Sequence, residues 1–134
     1  MLPTRRQQKR PDPNALRADM TPWPESWAGC DDDKPFGRGL TAEFGPFVQH
    51  LCEAGLSLKT VRRHMDNLWV IGGEVVRQLH LDPKLRKRSP AALLFDAIKY
   101  GEAPLATDHS EDHQEALDAT ARKLLPFLSR RPPR

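Results

Sequence analysis

Lys59, Thr60, Arg62 and Arg63 fall within five residues directly behind Leu58, and a second basic run, Lys84-Leu85-Arg86-Lys87-Arg88, follows further along the chain. Ammonium, guanidinium and hydroxyl donors grouped in this way meet phosphate oxygens, and such contacts position a protein on nucleic acid without reading its sequence. Residues 57–88 carry eight basic side chains against three acidic ones. That excess suits an anionic polymer if the charges converge on one face, and is an ordinary solvated surface if they do not. The candidate nucleic-acid contacts are Lys59, Thr60, Arg62, Arg63, Arg86, Lys87 and Arg88.

Other clusters point to weaker chemistry. His109 and His113 are one helical turn apart, a spacing that can chelate a metal, but no third ligand stands near them in sequence. His50 and Cys52 are two residues apart, so a helix turns them to different sides. Asp31-Asp32-Asp33 lacks the alternating oxygen ligands and closing glutamate of a calcium loop and reads as solvated loop. No phosphate loop, dinucleotide fingerprint or nucleophile elbow occurs. The expectation is therefore a protein that is not an enzyme, with no metal site and no cofactor.

A different signal lies in Asp66-Asn67-Leu68-Trp69-Val70-Ile71-Gly72-Gly73. Its apolar residues cover more than one side of a helix, so the segment is either central in the fold or part of an interface. In the second case Trp69 and Val70 would anchor a partner, with Gly72 and Gly73 allowing another backbone to come close.

These residues need helices to place them. Phe44, Phe47, Val48 and Leu51 repeat at the three-and-four spacing of a helix that starts near Ala42 or Pro46 and ends at Ala54, capped by Thr41 or Gly45 and stopped by Gly55. Ser57 caps a longer helix to about Leu79, with Leu58, Val61, Met65, Leu68, Val75, Val76 and Leu79 on one stripe. Gly72-Gly73 within it signals a kink or a close crossing. Ser89-Pro90 opens a third helix with Leu93, Leu94, Ala97 and Ile98, closed by Gly101. Ser110 caps a last one with Leu117, Ala121, Leu124 and Leu128, its acidic first turns suited to the helix dipole and Pro126 set to bend or end it.

The thirteen prolines gather toward the ends. The first 39 residues read as a basic, proline-rich arm followed by a strap in which Trp23 and Trp27 lie against the core; residues 40–129 form the helical domain and 130–134 a loose basic tail. No strand pattern appears. The expected fold is all-α, a compact four- to five-helix bundle with an irregular proline-rich N-terminal segment.

Leu56, Ser57, Thr60, His64 and Leu68, preceded by the helix bearing Phe44, Phe47 and Leu51, resemble the SAM-like core-binding domain of tyrosine recombinases and phage integrases over about residues 41–100. The resemblance implies DNA-backbone contact by Lys59, Thr60, Arg62 and Arg63. It does not extend to the catalytic half of that family, which needs well over a hundred more residues, and Tyr100, the single tyrosine, lies outside any catalytic motif. Recombinase activity is not expected of this chain.

The formal charge of +3 permits an anionic partner without requiring one. Cys30 and Cys52 form no CxxC pair, and no signal-peptide or membrane-span pattern occurs, so the expectation is a cytoplasmic protein with reduced thiols and no membrane contact. Two functions remain open: an accessory or regulatory protein touching DNA or RNA backbone in a mobile-element or phage-related system, and a protein–protein adaptor, self-associating or a small subunit of a bacterial complex.

Overall fold

Ser57 accepts the Thr60 backbone N–H at 3.2 Å, Ser89 that of Ala92 at 3.1 Å and Ser110 that of His113 at 3.2 Å. Each serine thus opens a helix by satisfying a donor that the helix itself cannot. In the computed structural model, which describes residues 10–105 and 110–130, these caps begin α4 (Leu58–Leu81), α5 (Pro90–Ile98) and α6 (Glu111–Arg130). Before them come α1 (Pro13–Ala18), α2 (Trp23–Trp27) and α3 (Asp33–Glu53), and a 3-10 turn at Pro83–Lys87 joins α4 to α5. The described residues contain no strand, and the fold is an all-α bundle.

The chain leaves α3 through a Schellman-type turn. Gly55 takes φ +88°, the Leu56 N–H reaches the Leu51 carbonyl and the Gly55 N–H that of Cys52. Gly101 at φ +78° serves similarly after α5. α3 and α4 pack against each other, α5 lies against both, and α6 closes the bundle against α4 and α5. Leu40, Phe44, Phe47, Val61, Leu68, Ile71, Leu79, Leu94, Ile98, Leu117 and Leu124 form the fully buried centre. No helix among the described residues is long and apolar enough to cross a membrane.

Two boundaries differ from expectation. α3 starts at Asp33, so a single helix crosses the anticipated arm-to-domain boundary at residues 39/40, and Pro46 lies inside it. Gly45 eases this, because part of the restriction on the residue before a proline comes from its own Cβ. The earlier glycines answer to packing: a Cβ on Gly39 would lie 2.5 Å from Pro90 Cγ, and one on Gly37 3.0 Å from Pro24 Cα. α6 likewise runs through Pro126 to Arg130, so Arg130 belongs to a helix and not to a tail.

The proline-rich strap is helical. Pro24 sits within the first turn of α2, where a missing N–H costs nothing. Trp23 and Trp27 do pack on the core, each with its ring centroid 6.4 Å from that of Phe44. α1 adds Leu16, and Met20 follows it, both buried. Residues 1–9 of the basic arm and 131–134 of the tail lie outside the described residues.

Candidate nucleic-acid interface

The two basic runs do not converge. α4 separates them, and its 24 residues span about 36 Å at 1.5 Å per residue. Lys59, Arg62 and Arg63 are exposed at its start, with Thr60 half-buried beside them, whereas Lys84–Arg88 fold back at its far end. Two cations of that second run are engaged within the fold: Arg86 donates to Asp33 Oδ1 at 2.9 Å, and Arg88 pairs with Asp96. Lys87 is exposed there without an ion pair among the described residues. Arg86, Lys87 and Arg88 therefore do not extend the surface at the start of α4.

A different set of cations does. His64 Nδ1 on α4 lies 2.7 Å from Thr120 Oγ1 on α6, and Asn67 Nδ2 donates to Thr120 Oγ1 at 2.9 Å and to the Ala116 carbonyl at 3.2 Å. Residue numbers rise along α4 as they fall along α6, so the helices are antiparallel and the end of α6 meets the start of α4. This brings Lys123 and Arg130, with Arg122 on the same turn, to the end that carries Lys59, Arg62 and Arg63. Five of these six cations have no ion pair among the described residues; Arg62 reaches Asp19 at 3.7 Å across solvent, a contact worth little.

The electrostatics of this seam register in His64. Burial depresses its proton affinity first, and the charges of Lys123 and Arg63 push it down further. The Thr120 hydroxyl accepts from Asn67 and donates to Nδ1 of a neutral imidazole, an assignment that satisfies all three side chains without a buried charge. A pH dependence follows. The unfolded chain takes up the proton near pH 6.5, before folded His64 does. Its contribution to stability is therefore complete above that pH and is lost as the pH falls below it, with a maximum slope of about 1.4 kcal/mol per pH unit. Urea unfolding across this range should show the slope in the native sequence and a smaller one in His64→Gln; equal slopes would mean that His64 is not held neutral.

Beside the seam is a cleft of about 330 Å³ lined by Phe47, His50, Leu56, Phe127 and the cations Arg122, Lys123 and Arg130. The His50 and Phe127 ring centroids are 5.1 Å apart and tilted by 35°. His50 is exposed and Cys52 half-buried, on different sides of α3. The cleft therefore combines aromatic faces with a cationic rim.

Trp69 is 42% exposed, yet its indole is committed within the molecule. Trp69 Nε1 donates to Ser26 Oγ at 2.9 Å, and Trp27 Nε1 donates to the Trp69 carbonyl at 2.9 Å. Gly72 is buried under Trp27: a Cβ there would lie 2.4 Å from Trp27 Cζ2. Gly73 also faces the Trp27 ring, and Val70 packs partly against the core. The close approach signalled by Gly72-Gly73 is thus made by this chain's own α2, which leaves part of the Trp69 ring as the exposed portion of this segment.

Asp33, expected in a solvated loop, is buried. Its Oδ2 accepts the Gly29 N–H at 2.7 Å, the Cys30 N–H at 3.3 Å and His80 Nε2 at 2.7 Å, while Oδ1 takes Arg86. Burial alone would raise its pKa; the Gly29 N–H, His80, Arg86 and the Cys30 N–H outweigh that and hold it at about 2. His109 lies outside the described residues, so the His109/His113 spacing has no structural counterpart here. The missed cations Arg122, Lys123 and Arg130 had one visible signal, the change of α6 from an acidic start to a basic end.

No family model, no curated protein and no solved structure matches this chain.

Proposed function

We propose that this protein is a non-catalytic accessory protein that holds a nucleic-acid backbone across the seam between the start of α4 and the end of α6. The observation that carries this reading is the antiparallel α4/α6 contact, which sets Arg63 and Lys123 on either side of His64 and brings the basic start of α4 to the basic end of α6. Phosphates would meet the cations and the first turn of α4, where the Leu58 and Lys59 backbone N–H groups, ahead of the capped Thr60, have no acceptor within the helix. The capped start of α4 also carries the resemblance to the integrase core-binding domain, which supports placing the protein in a mobile-element or phage-related system.

Fluorescence anisotropy with labelled duplex and single-stranded oligonucleotides tests this at low salt. Binding should weaken with rising salt by roughly 0.9 logarithmic units per logarithmic unit of salt for each duplex phosphate contacted. The triple variant Lys59→Glu/Arg63→Glu/Lys123→Glu should lose at least about tenfold in affinity and part of the salt slope. Lys84→Glu/Lys87→Glu, at the far end of α4, should bind like the native protein. Equal losses in both variants, or no binding to any oligonucleotide, would refute the proposal.

A second reading, a protein–protein adaptor, is favoured by the surroundings of α5. Phe95, Tyr100 and Leu105 are 40%, 82% and 77% exposed, and Val75, Leu85, Leu93, Ala97 and Pro104 line a hollow nearby. A partner, or a second copy, would bind there and not at Trp69. Light scattering that shows a monomer unaffected by Tyr100→Glu would remove self-association through this face.

A further inference from the structure

Cys30, Asp33 and His80 come from three separate places: the loop after α2, the first residue of α3 and the last turn of α4. One ligand atom from each, the Cys30 sulfur, an Asp33 carboxylate oxygen and a His80 ring nitrogen, lie within 4.8 Å of one another. Thiolate, imidazole and carboxylate together are the donor set that zinc and similar divalent transition metals take. We propose that this corner is a binding site for one such ion, held by Cys30, Asp33 and His80 with a fourth position open to water or an external ligand.

The geometry requires only small movements. Two nitrogen or oxygen donors on a tetrahedral zinc, each about 2.1 Å from the metal, stand roughly 3.4 Å apart. His80 Nε2 and Asp33 Oδ2 are 2.7 Å apart with a proton between them, so exchanging that proton for the ion asks for about 0.7 Å of opening. Cys30 is exposed on a loop and can close the remaining distance to a metal–sulfur bond of about 2.3 Å. Gly29 keeps the approach clear, since a Cβ there would lie 3.0 Å from His80 Nε2.

Asp33 is already oriented. Arg86 holds Oδ1, and the Gly29 and Cys30 N–H groups hold Oδ2, as outer partners fix a ligand before the metal arrives. Proton balance is simple: Cys30 releases its thiol proton, and a neutral His80 moves its ring proton from Nε2 to Nδ1. The thiolate and carboxylate neutralise a dipositive ion, and Arg86 leaves the site with one net positive charge. That charge weakens the affinity, and it selects an anionic fourth ligand such as hydroxide, chloride or a carboxylate.

The test uses the untagged full chain, Zn²⁺ in competition with a chromophoric chelator, and Co²⁺ absorption as a readout of thiolate ligation. One equivalent should bind at neutral pH, with a thiolate-to-cobalt charge-transfer band. Cys30→Ser should abolish that band, and both Cys30→Ser and His80→Gln should weaken Zn²⁺ binding at least about tenfold. Cys52→Ser and His113→Gln should bind as the native chain does. Since Cys30 is exposed, Cys30→Ser decides the matter even if His80→Gln perturbs folding. A native chain that takes up no metal at micromolar concentration, or binding that persists in Cys30→Ser and is lost in Cys52→Ser or His113→Gln, would overturn the assignment. None of these residues belongs to the α4/α6 seam, so failure here leaves the nucleic-acid proposal standing.

Discussion

Gly72→Ala should destabilise the protein by about 2 kcal/mol, even though alanine is the better helix former by about 1 kcal/mol. The clash outweighs propensity because the atom in the way cannot retreat. A Cβ on Gly72 would sit 2.4 Å from Trp27 Cζ2 and 2.7 Å from Cη2. The Trp27 ring is held behind by Phe44, beside by Trp23 at 5.8 Å, and at its N–H by the Trp69 carbonyl. Gly72→Leu should expel the ring altogether and cost more. Gly73 is the internal control, since its Cβ would reach Trp27 only at 3.3 Å, so Gly73→Ala should be close to neutral. A double-mutant cycle separates the terms: in a Trp27→Ala background, Gly72→Ala should become stabilising by about 1 kcal/mol, as propensity alone dictates. Chemical denaturation of the four proteins checks this, and a native-background Gly72→Ala of raised stability would contradict the packing described.

Asp33→Ala should cost about 3 kcal/mol, equivalent to a fall of roughly 10 °C in the melting temperature. The carboxylate is 1% exposed and accepts four hydrogen bonds, from two backbone amides, an imidazole and a guanidinium. Removing it leaves four donors facing one another. Asp33→Asn should not rescue the loss, because the amide directs two donors of its own into that ring. These bonds fasten the start of α3 to the end of α4 and to the turn at Pro83–Lys87. A melting temperature within a few degrees of native for either variant would show that water replaces the carboxylate without penalty.

How much of this was legible in the residues depends on the range of the cause. Ser57, Ser89, Ser110, Gly55 and Gly101 act within four residues of themselves, and α4, α5 and the start of α6 stand where those residues put them. The apolar spacing from Phe44 to Leu51 marks only the second half of α3, because Gly37 and Gly39 interrupt its first half with residues that normally punctuate loops. In the fold, Gly37 and Gly39 admit Pro24 and Pro90, partners that no local pattern identifies. Asp33 was misplaced for the same reason, since what makes its burial tolerable is His80 and Arg86, 47 and 53 residues away. Half of the candidate interface, the start of α4, was visible as a capped basic turn. The other half depended on which end of α6 lies beside it, and a helical stripe fixes the face that is buried without fixing the direction of the helix.

All three tryptophans of the chain meet at the junction of α2 and α4. The protein's intrinsic emission is therefore a local gauge: it senses whether α2 is seated on α4 and is nearly blind to the α5–α6 side of the bundle. Circular dichroism in the far ultraviolet weighs the long helices instead. Melting curves from the two probes that superimpose would make the N-terminal helices part of one cooperative unit. An emission change that came first would mark them as a latch that opens while the bundle persists.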